Sequence, residues 1–150
     1  MPSTRALGPT GAYGWIWSNR FSTHGVKQIY VTKVDPDSPA TGVLQKDDVI
    51  LGVVSPRPKT NGQKATGSMF AYDARKEFAL AITEAEKTQA GGELVLNVWR
   101  KGKTHDVTLR LKPIGTYSAT APARCEKTEQ IIQQACAYLE KHGFKRGISG

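Results

Sequence analysis

Val34-Asp35-Pro36-Asp37-Ser38-Pro39-Ala40-Thr41-Gly42-Val43-Leu44-Gln45-Lys46-Asp47-Asp48-Val49-Ile50 is the stretch on which the fold turns. Upstream of it, Gln28 to Val34 carries five residues of high β propensity. Pro36 and Pro39 forbid that strand from continuing, because proline has no N–H to give to a ladder. Ala40 to Leu44 is too short for more than about one helical turn, and the polar Gln45-Lys46-Asp47-Asp48 launches a second strand, Val49 to Val54. The nearly continuous apolar run of that strand predicts burial on both faces, or a place at the centre of a small barrel.

Working outward, residues 1–14 are rich in glycine, proline and small polar types and read as loop. Trp15-Ile16-Trp17 is a compact strand seed, followed by the polar break Ser18-Asn19-Arg20 and a loop around His24-Gly25. On the other side, Ser55 to Met69 has turn formers, lysines and no apolar periodicity, so it reads as a mobile loop. A helix over 73–88 follows, with Asp73 as its N-cap and Glu77 in an early turn. Ala74, Phe78, Ala81, Ile82 and Ala85 share one of its faces at spacings of three and four. Ala90-Gly91-Gly92 is the expected stop. Two strands complete the set: 93–100, with Leu94, Leu96 and Val98 on one face, and 105–111, with Val107, Leu109 and Leu111 on one face. Lys101-Gly102-Lys103 between them signals a tight hairpin. A linker over 113–124 leads to a helix over 125–142. Its stripe is Ile131, Ile132, Ala135, Cys136 and Leu139, and Gly143 stops it.

A chain of 150 residues suits one domain, since single domains run from roughly 100 to 200 residues. Hydrophobic residues at 39% and charged ones at 23% leave enough apolar surface to form a core. No apolar run approaches the ~18 to 20 residues that cross a bilayer, and the first residues lack the apolar stretch of a secretory signal. The chain therefore reads as soluble, with its compartment open and a periplasmic or secreted parent protein allowed. Cys125 and Cys136 fall eleven positions apart within one expected helix, roughly 16 Å, too far to bond to each other. His24, His105 and His142 are scattered, so no structural metal is expected.

The net charge of +8 raises nucleic acid or an anionic surface as a partner, yet the basic residues are spread through the chain and read first as a solvated surface. Catalysis needs a nucleophile, a base and an orienting group, or paired carboxylates in a cleft, and no such set assembles. Ser18, Ser22, Ser38, Ser55 and Ser68 lie in loops without a nucleophile-elbow sequence, and Asp47-Asp48 reads as a polar turn. Without a Walker loop, a dinucleotide fingerprint or a metal-binding helix motif, no cofactor is expected. The chain reads as a non-enzyme.

The order of elements resembles the PDZ domain over roughly Gly11 to Leu111, closest to the bacterial forms that accompany proteases. Four stretches carry the resemblance. Tyr13-Gly14-Trp15-Ile16 is similar to the carboxylate-binding loop, and Val34 to Ala40 to the V-x-P-x-S-P-A turn. Gly42 to Ile50 is similar to G-L-x-x-G-D-x-I, and Val98 to Lys103 to the last V-x-R-x-G-K hairpin. Gly8 to Cys125 also resembles a group of bacterial proteins in which such a domain precedes a large helical region. The resemblance implies an α+β fold: a mixed sheet of five to six strands, partly closed into a small barrel or sandwich and capped by two helices. A domain over 1–112 would be followed by the linker and by the helix 125–142, the start of a further helical region.

It implies, too, a groove in which a peptide, C-terminal or internal, adds as a strand beside residues 15–19 while the helix 73–88 forms the opposite wall. Gly14 would let successive N–H groups converge on a terminal carboxylate. Tyr13 and Trp15 would line the terminal pocket and Trp17 a site further along, with Arg75, Phe78, Ala79 and Ile82 on the helix. The ligand's last residue would then be apolar. Ile16 by alternation fills the core, Trp15 belongs to groove or core, and Phe78 is read first as core. The helix start lacks the histidine that recognises Ser or Thr near a ligand's end, and Arg75 there would favour an acidic side chain. Three other readings stay open: a basic module binding nucleic acid or anionic surfaces, a regulatory domain of a larger bacterial enzyme, and a structural domain whose groove is filled by its own tail or loop. The apolar stripe of the tail helix would allow a homodimer.

Overall fold

The computed structural model describes residues 4–15, 27–57, 59–60, 63–64 and 69–143. The chain divides into two compact units, Met1–Pro113 and Ile114–Gly150. In the first unit, β1 (Arg5–Ala6) leads through a 3₁₀ turn at Gly8–Thr10 to β2 (Ala12–Trp15). Then come β3 (Ile29–Val34), β4 (Val49–Ser55), β5 (Lys59–Thr60), β6 (Gln63–Lys64), helix α1 (Ala74–Ala85), β7 (Glu93–Arg100) and β8 (Lys103–Arg110). The second unit holds α2 (Glu126–His142).

Six strands form one sheet in the order β1-β2-β3-β4-β7-β8, and β5 pairs with β6 alone. The α+β class and the added C-terminal helix are as expected. Mixed pairing and partial closure are not, because among the described residues every pair is antiparallel and β1 and β8 stand at opposite margins. A parallel pair would need a crossover that returns the chain to the same end of the sheet, and even β4 and β7, with α1 between them in sequence, run in opposite directions. The first of the two capping helices is a single turn, in which the Ala40 carbonyl accepts from the N–H groups of Val43 and Leu44.

Burial alternates along β7, where Leu94, Leu96 and Val98 are inward, and Leu109 and Leu111 continue that face from the last hairpin. α1 packs on β4 and β7 with Ala74, Phe78, Ala81, Ile82 and Ala85 buried. Each large apolar side chain removed from water there contributes about 1.5–3 kcal/mol. Asp73 caps the helix by accepting from Arg75 N–H. Glu77 is buried, and its carboxylate accepts from the main-chain N–H groups of Ala71 and Tyr72, fixing the turn that enters α1. The helix ends at Ala85, earlier than the sequence suggests, and the chain tightens into a 3₁₀ turn at Thr88–Ala90 before reaching Gly91 and Gly92.

β4 is buried on one face only, with its other face half-buried. Its apolar run is unbroken because bulges shift its register against β7 between Ile50 and Gly52 and again between Val53 and Ser55, which interrupts the period of two. The carbonyl of Leu51, within the first bulge, accepts from Phe70 N–H. Lys59↔Lys64 and Thr60↔Gln63 form a small hairpin inside the expected 55–69 loop. In α2, Glu126 and Glu129 lie in the first turn and Lys141 and His142 in the last, the signs that suit the helix dipole. Gly143 N–H closes the helix on the Leu139 carbonyl. None of the described helices is long and apolar enough to cross a membrane.

Candidate functional site

The margin of the sheet beside β2 is built by the N-terminal hairpin. Its turn is held by the Thr10 hydroxyl, which donates to the Leu7 carbonyl at 2.8 Å and accepts from Ala12 N–H at 3.2 Å. Thr10 is fully buried, so both bonds form away from water, where an unmet polar group is most costly. Leu7 N–H donates to the Ala12 carbonyl, and the pairing continues with Ala6↔Tyr13 and Arg5↔Gly14. The hairpin is fastened to the rest of the unit by Asp35 N–H on the Gly11 carbonyl and Ala40 N–H on the Thr10 carbonyl.

The stretch at Tyr13 and Gly14, expected to turn main-chain donors toward a terminal carboxylate, is a strand paired with Arg5 and Ala6. Of the margin beside residues 15–19, expected to receive a guest strand, Trp15 alone falls among the described residues. Leu7 is 6% exposed and lies against Gly14, where an added Cβ would sit 3.1 Å from Leu7 Cδ1 and 2.7 Å from Ile29 Cγ2. Gly14 is therefore required by close packing under Leu7 and Ile29. On the α1 side, Ile82 Cδ1 approaches to 3.3 Å of where a Gly8 Cβ would be. The stretch Leu7–Gly8 thus passes between Gly14 of β2 and Ile82 of α1, a trough in which Leu7 is buried.

Of the expected site residues, the structure brings Gly14 and Ile82 to this trough. Phe78 is buried in the core. Ala79 is exposed on α1. Arg75 is exposed at the start of α1, with its Nε 3.5 Å from the cap carboxylate of Asp73. Tyr13 and Trp15 are half-buried and share the face of β2 opposite Ala12 and Gly14. Tyr13 pairs across the ladder with Lys33, whose Nζ lies 4.8 Å from the ring centroid and 2.8 Å from Asp35. Asp35 is held below the ordinary carboxylate range by its bond to Lys33 and then by that to Tyr13, and the same carboxylate raises Lys33. Ile16 and Trp17 lie outside the described residues. Sequence reasoning missed Arg5, Ala6, Leu7 and Gly8; the available signal was Leu7 followed by the turn formers Gly8-Pro9-Thr10-Gly11.

A separate cleft of ≈ 400 Å³ lies in the second unit, lined by Pro122, Arg124, Cys125, Thr128, Glu129, Ile132 and Gln133. Cys125 stands at the N-cap position of α2, and its Sγ accepts from Ser118 N–H at 3.3 Å. The Thr128 side chain, then the N–H groups of Ser118 and Thr128, lower its pKa from the ordinary 9.0 to about 6. Unfolding restores the ordinary value, so the thiolate adds stability that is present above pH 9 and lost as pH falls through about 6. Cys125 is 4% exposed, so its ionisation is followed without a reagent: the ultraviolet absorbance of the thiolate in a Cys136→Ser variant is expected to rise with a midpoint near pH 6. Thr128→Val should move that midpoint upward; a midpoint above pH 8 in the Cys136→Ser chain would contradict the hydrogen-bonded thiolate.

No family model matches this chain, and no curated protein matches it. Among solved structures it is similar to the HtrA-type protease AlgW, solved with a decapeptide, at 23% identity and a TM-score of 0.39. The likeness covers 76% of this chain, which spans 30% of that protein's length.

Proposed function

We propose that the chain is a peptide-binding module of PDZ type, not an enzyme, and that it takes up an extended segment as an added strand between β2 and α1. One observation supports this most directly: Arg5–Ala6 pairs with β2 while Leu7 is buried against Gly14 and Ile29 and Gly8 lies on Ile82. A guest strand in that position would gain main-chain bonds of about 0.5–1.5 kcal/mol each and a buried apolar side chain of about 2 kcal/mol. The preferred ligand is therefore an extended peptide with an apolar residue at the position of Leu7. A second reading follows from the same observation: a structural domain whose trough is filled permanently by its own hairpin.

A random peptide library, displayed with free and with blocked C-termini, discriminates the two. Selective binders with a shared apolar position are expected for the unaltered chain. Gly14→Ala pushes a methyl group toward Ile29 and Leu7, at a cost of about 1–3 kcal/mol from overpacking. It should weaken those binders at least tenfold while circular dichroism shows the chain still folded. Equal binding by both chains would reject the trough as the site, and no selective binder at all would favour the structural reading. A requirement for the free carboxylate would add the terminal-recognition mode to the proposal.

A further inference from the structure

We propose that the N-terminal arm, Arg5 to Leu7, is a built-in occupant of the peptide trough, which a partner strand must displace before it binds. This rests on the peptide-binding reading above and adds a regulatory device to it. Among the described residues, the arm holds β2 by two paired residues and one further main-chain bond, from Leu7 to Ala12. Leu7 lies against Gly14 on the strand side, and Gly8, at the foot of the arm, lies near Ile82 on the helix side. Arg5 and Ala6 are exposed, so Leu7 is the arm's single buried anchor. A short ladder with one anchor can open locally without unfolding the sheet, because few contacts must break. An internal competitor lowers the apparent affinity of an external peptide by the fraction of molecules whose arm is released.

The fixed end of the arm is equally informative. The bonds from Asp35 and Ala40 fasten the turn, so release would be a hinge motion before Gly8 that also gives up the bond from the buried Thr10 hydroxyl to the Leu7 carbonyl. An occupant tethered in this way competes at millimolar effective concentration, which a partner exceeds by affinity or by avidity.

The test uses the full chain and one probe, the fluorescein-labelled peptide Ser-Thr-Arg-Ala-Leu, which repeats residues 3–7 and is titrated to millimolar concentration. Leu7→Ala removes the anchor and should tighten probe binding about tenfold or more. A second variant locks the arm. The Leu7–Ala12 pair is hydrogen-bonded, so Ala6 and Tyr13 form the neighbouring non-bonded pair, with Cα atoms about 4.5 Å apart, within reach of a disulfide. Ala6→Cys/Tyr13→Cys, with Cys125→Ser and Cys136→Ser, should exclude the probe when oxidised and admit it after reduction. Reduction controls for the loss of the Tyr13 side chain. If the oxidised chain binds as the reduced chain does, the arm is not the occupant, although peptide recognition survives. If the probe binds none of these forms the proposal fails, and the library selection on the unaltered chain then decides separately whether the trough binds peptides at all.

Discussion

Asp48→Ala is expected to destabilise the first unit by about 3–5 kcal/mol, a large part of the 5–15 kcal/mol that holds a typical domain together. The Asp48 side chain is fully buried. Its Oδ1 accepts from Arg100 Nε at 2.7 Å and its Oδ2 from Arg100 Nη2 at 2.7 Å, a two-pronged pair. Oδ2 also accepts from Gln45 N–H at 2.9 Å, and Arg100 Nη2 reaches the Val43 carbonyl at 2.9 Å. Both ends of the turn that launches β4 are therefore tied to the end of β7. Truncating Asp48 leaves the guanidinium, only partly exposed, without its carboxylate and leaves Gln45 N–H without an acceptor. Arg100→Lys keeps the charge but loses the fork, so its cost should be smaller, about 1–2 kcal/mol. Replacing the pair together, Asp48→Leu/Arg100→Met, should cost less than Asp48→Ala alone, because no buried charge is then stranded. Urea unfolding of the three variants measures this; an Asp48→Ala loss below about 1 kcal/mol would mean that water already reaches the pair.

That ion pair marks a limit of local sequence reading. Asp48 looked like one member of a polar turn, and nothing near it indicates a partner 52 positions away. The regular elements were legible because their apolar spacing repeats: three or four along α1, two along β7, and the tight turn at Lys101-Gly102 that joins β7 to β8. β1 was not, since two residues cannot display a period, and Arg5-Ala6 is not a strand-forming pair by propensity. β4 misled for the opposite reason, as its bulges bring successive apolar residues into line and imitate burial on two faces. Asp47 stands where the quoted G-D-x-I pattern has glycine, yet it adopts φ 74° there. Aspartate is among the few side chains that tolerate this region, and its carboxylate receives the Tyr30 hydroxyl.

The candidate site divides along the same line. Its helical wall, α1, was readable from pattern, whereas Ala12 to Gly14 of β2 were read as loop; Gly14 is a position where no side chain fits. The physical cause visible in the structure is packing, because Leu7 and Ile29 fill the space into which a Cβ would point. Tyr13 and Trp15 were placed by treating the loop as irregular chain. As part of a paired strand they alternate with Gly14, and alternation sends them to the other face. What fills the trough depends on a chain reversal at Gly8 to Thr10, and composition alone predicts a turn there without saying what the turn packs against.

Gly92→Ala should cost about 3–5 kcal/mol, whereas Gly91→Ala should cost about 1 kcal/mol, although both glycines have positive φ. Gly91, at φ 63°, has open space where a Cβ would point, so alanine there meets only the conformational penalty. Gly92, at φ 80°, would place a Cβ 1.9 Å from the Leu111 carbonyl oxygen and 2.9 Å from its carbon. The obstacle is main chain, which cannot rotate away as a side chain could. Gly92 also donates its N–H to the Ala85 carbonyl at 2.9 Å and accepts from Leu111 N–H at 2.8 Å. These two bonds join the end of α1 to the strand that leaves β8, and Leu111 is buried beside them. Moving the chain far enough to admit a methyl group breaks at least the Leu111 bond, adding about 0.5–1.5 kcal/mol to the overlap and the backbone penalty. In thermal unfolding the difference between the two variants should exceed roughly 10 °C for a domain of this size. Equal losses at the two positions would show that backbone conformation alone explains both glycines, and that the approach of Leu111 to Gly92 is looser than the structure has it.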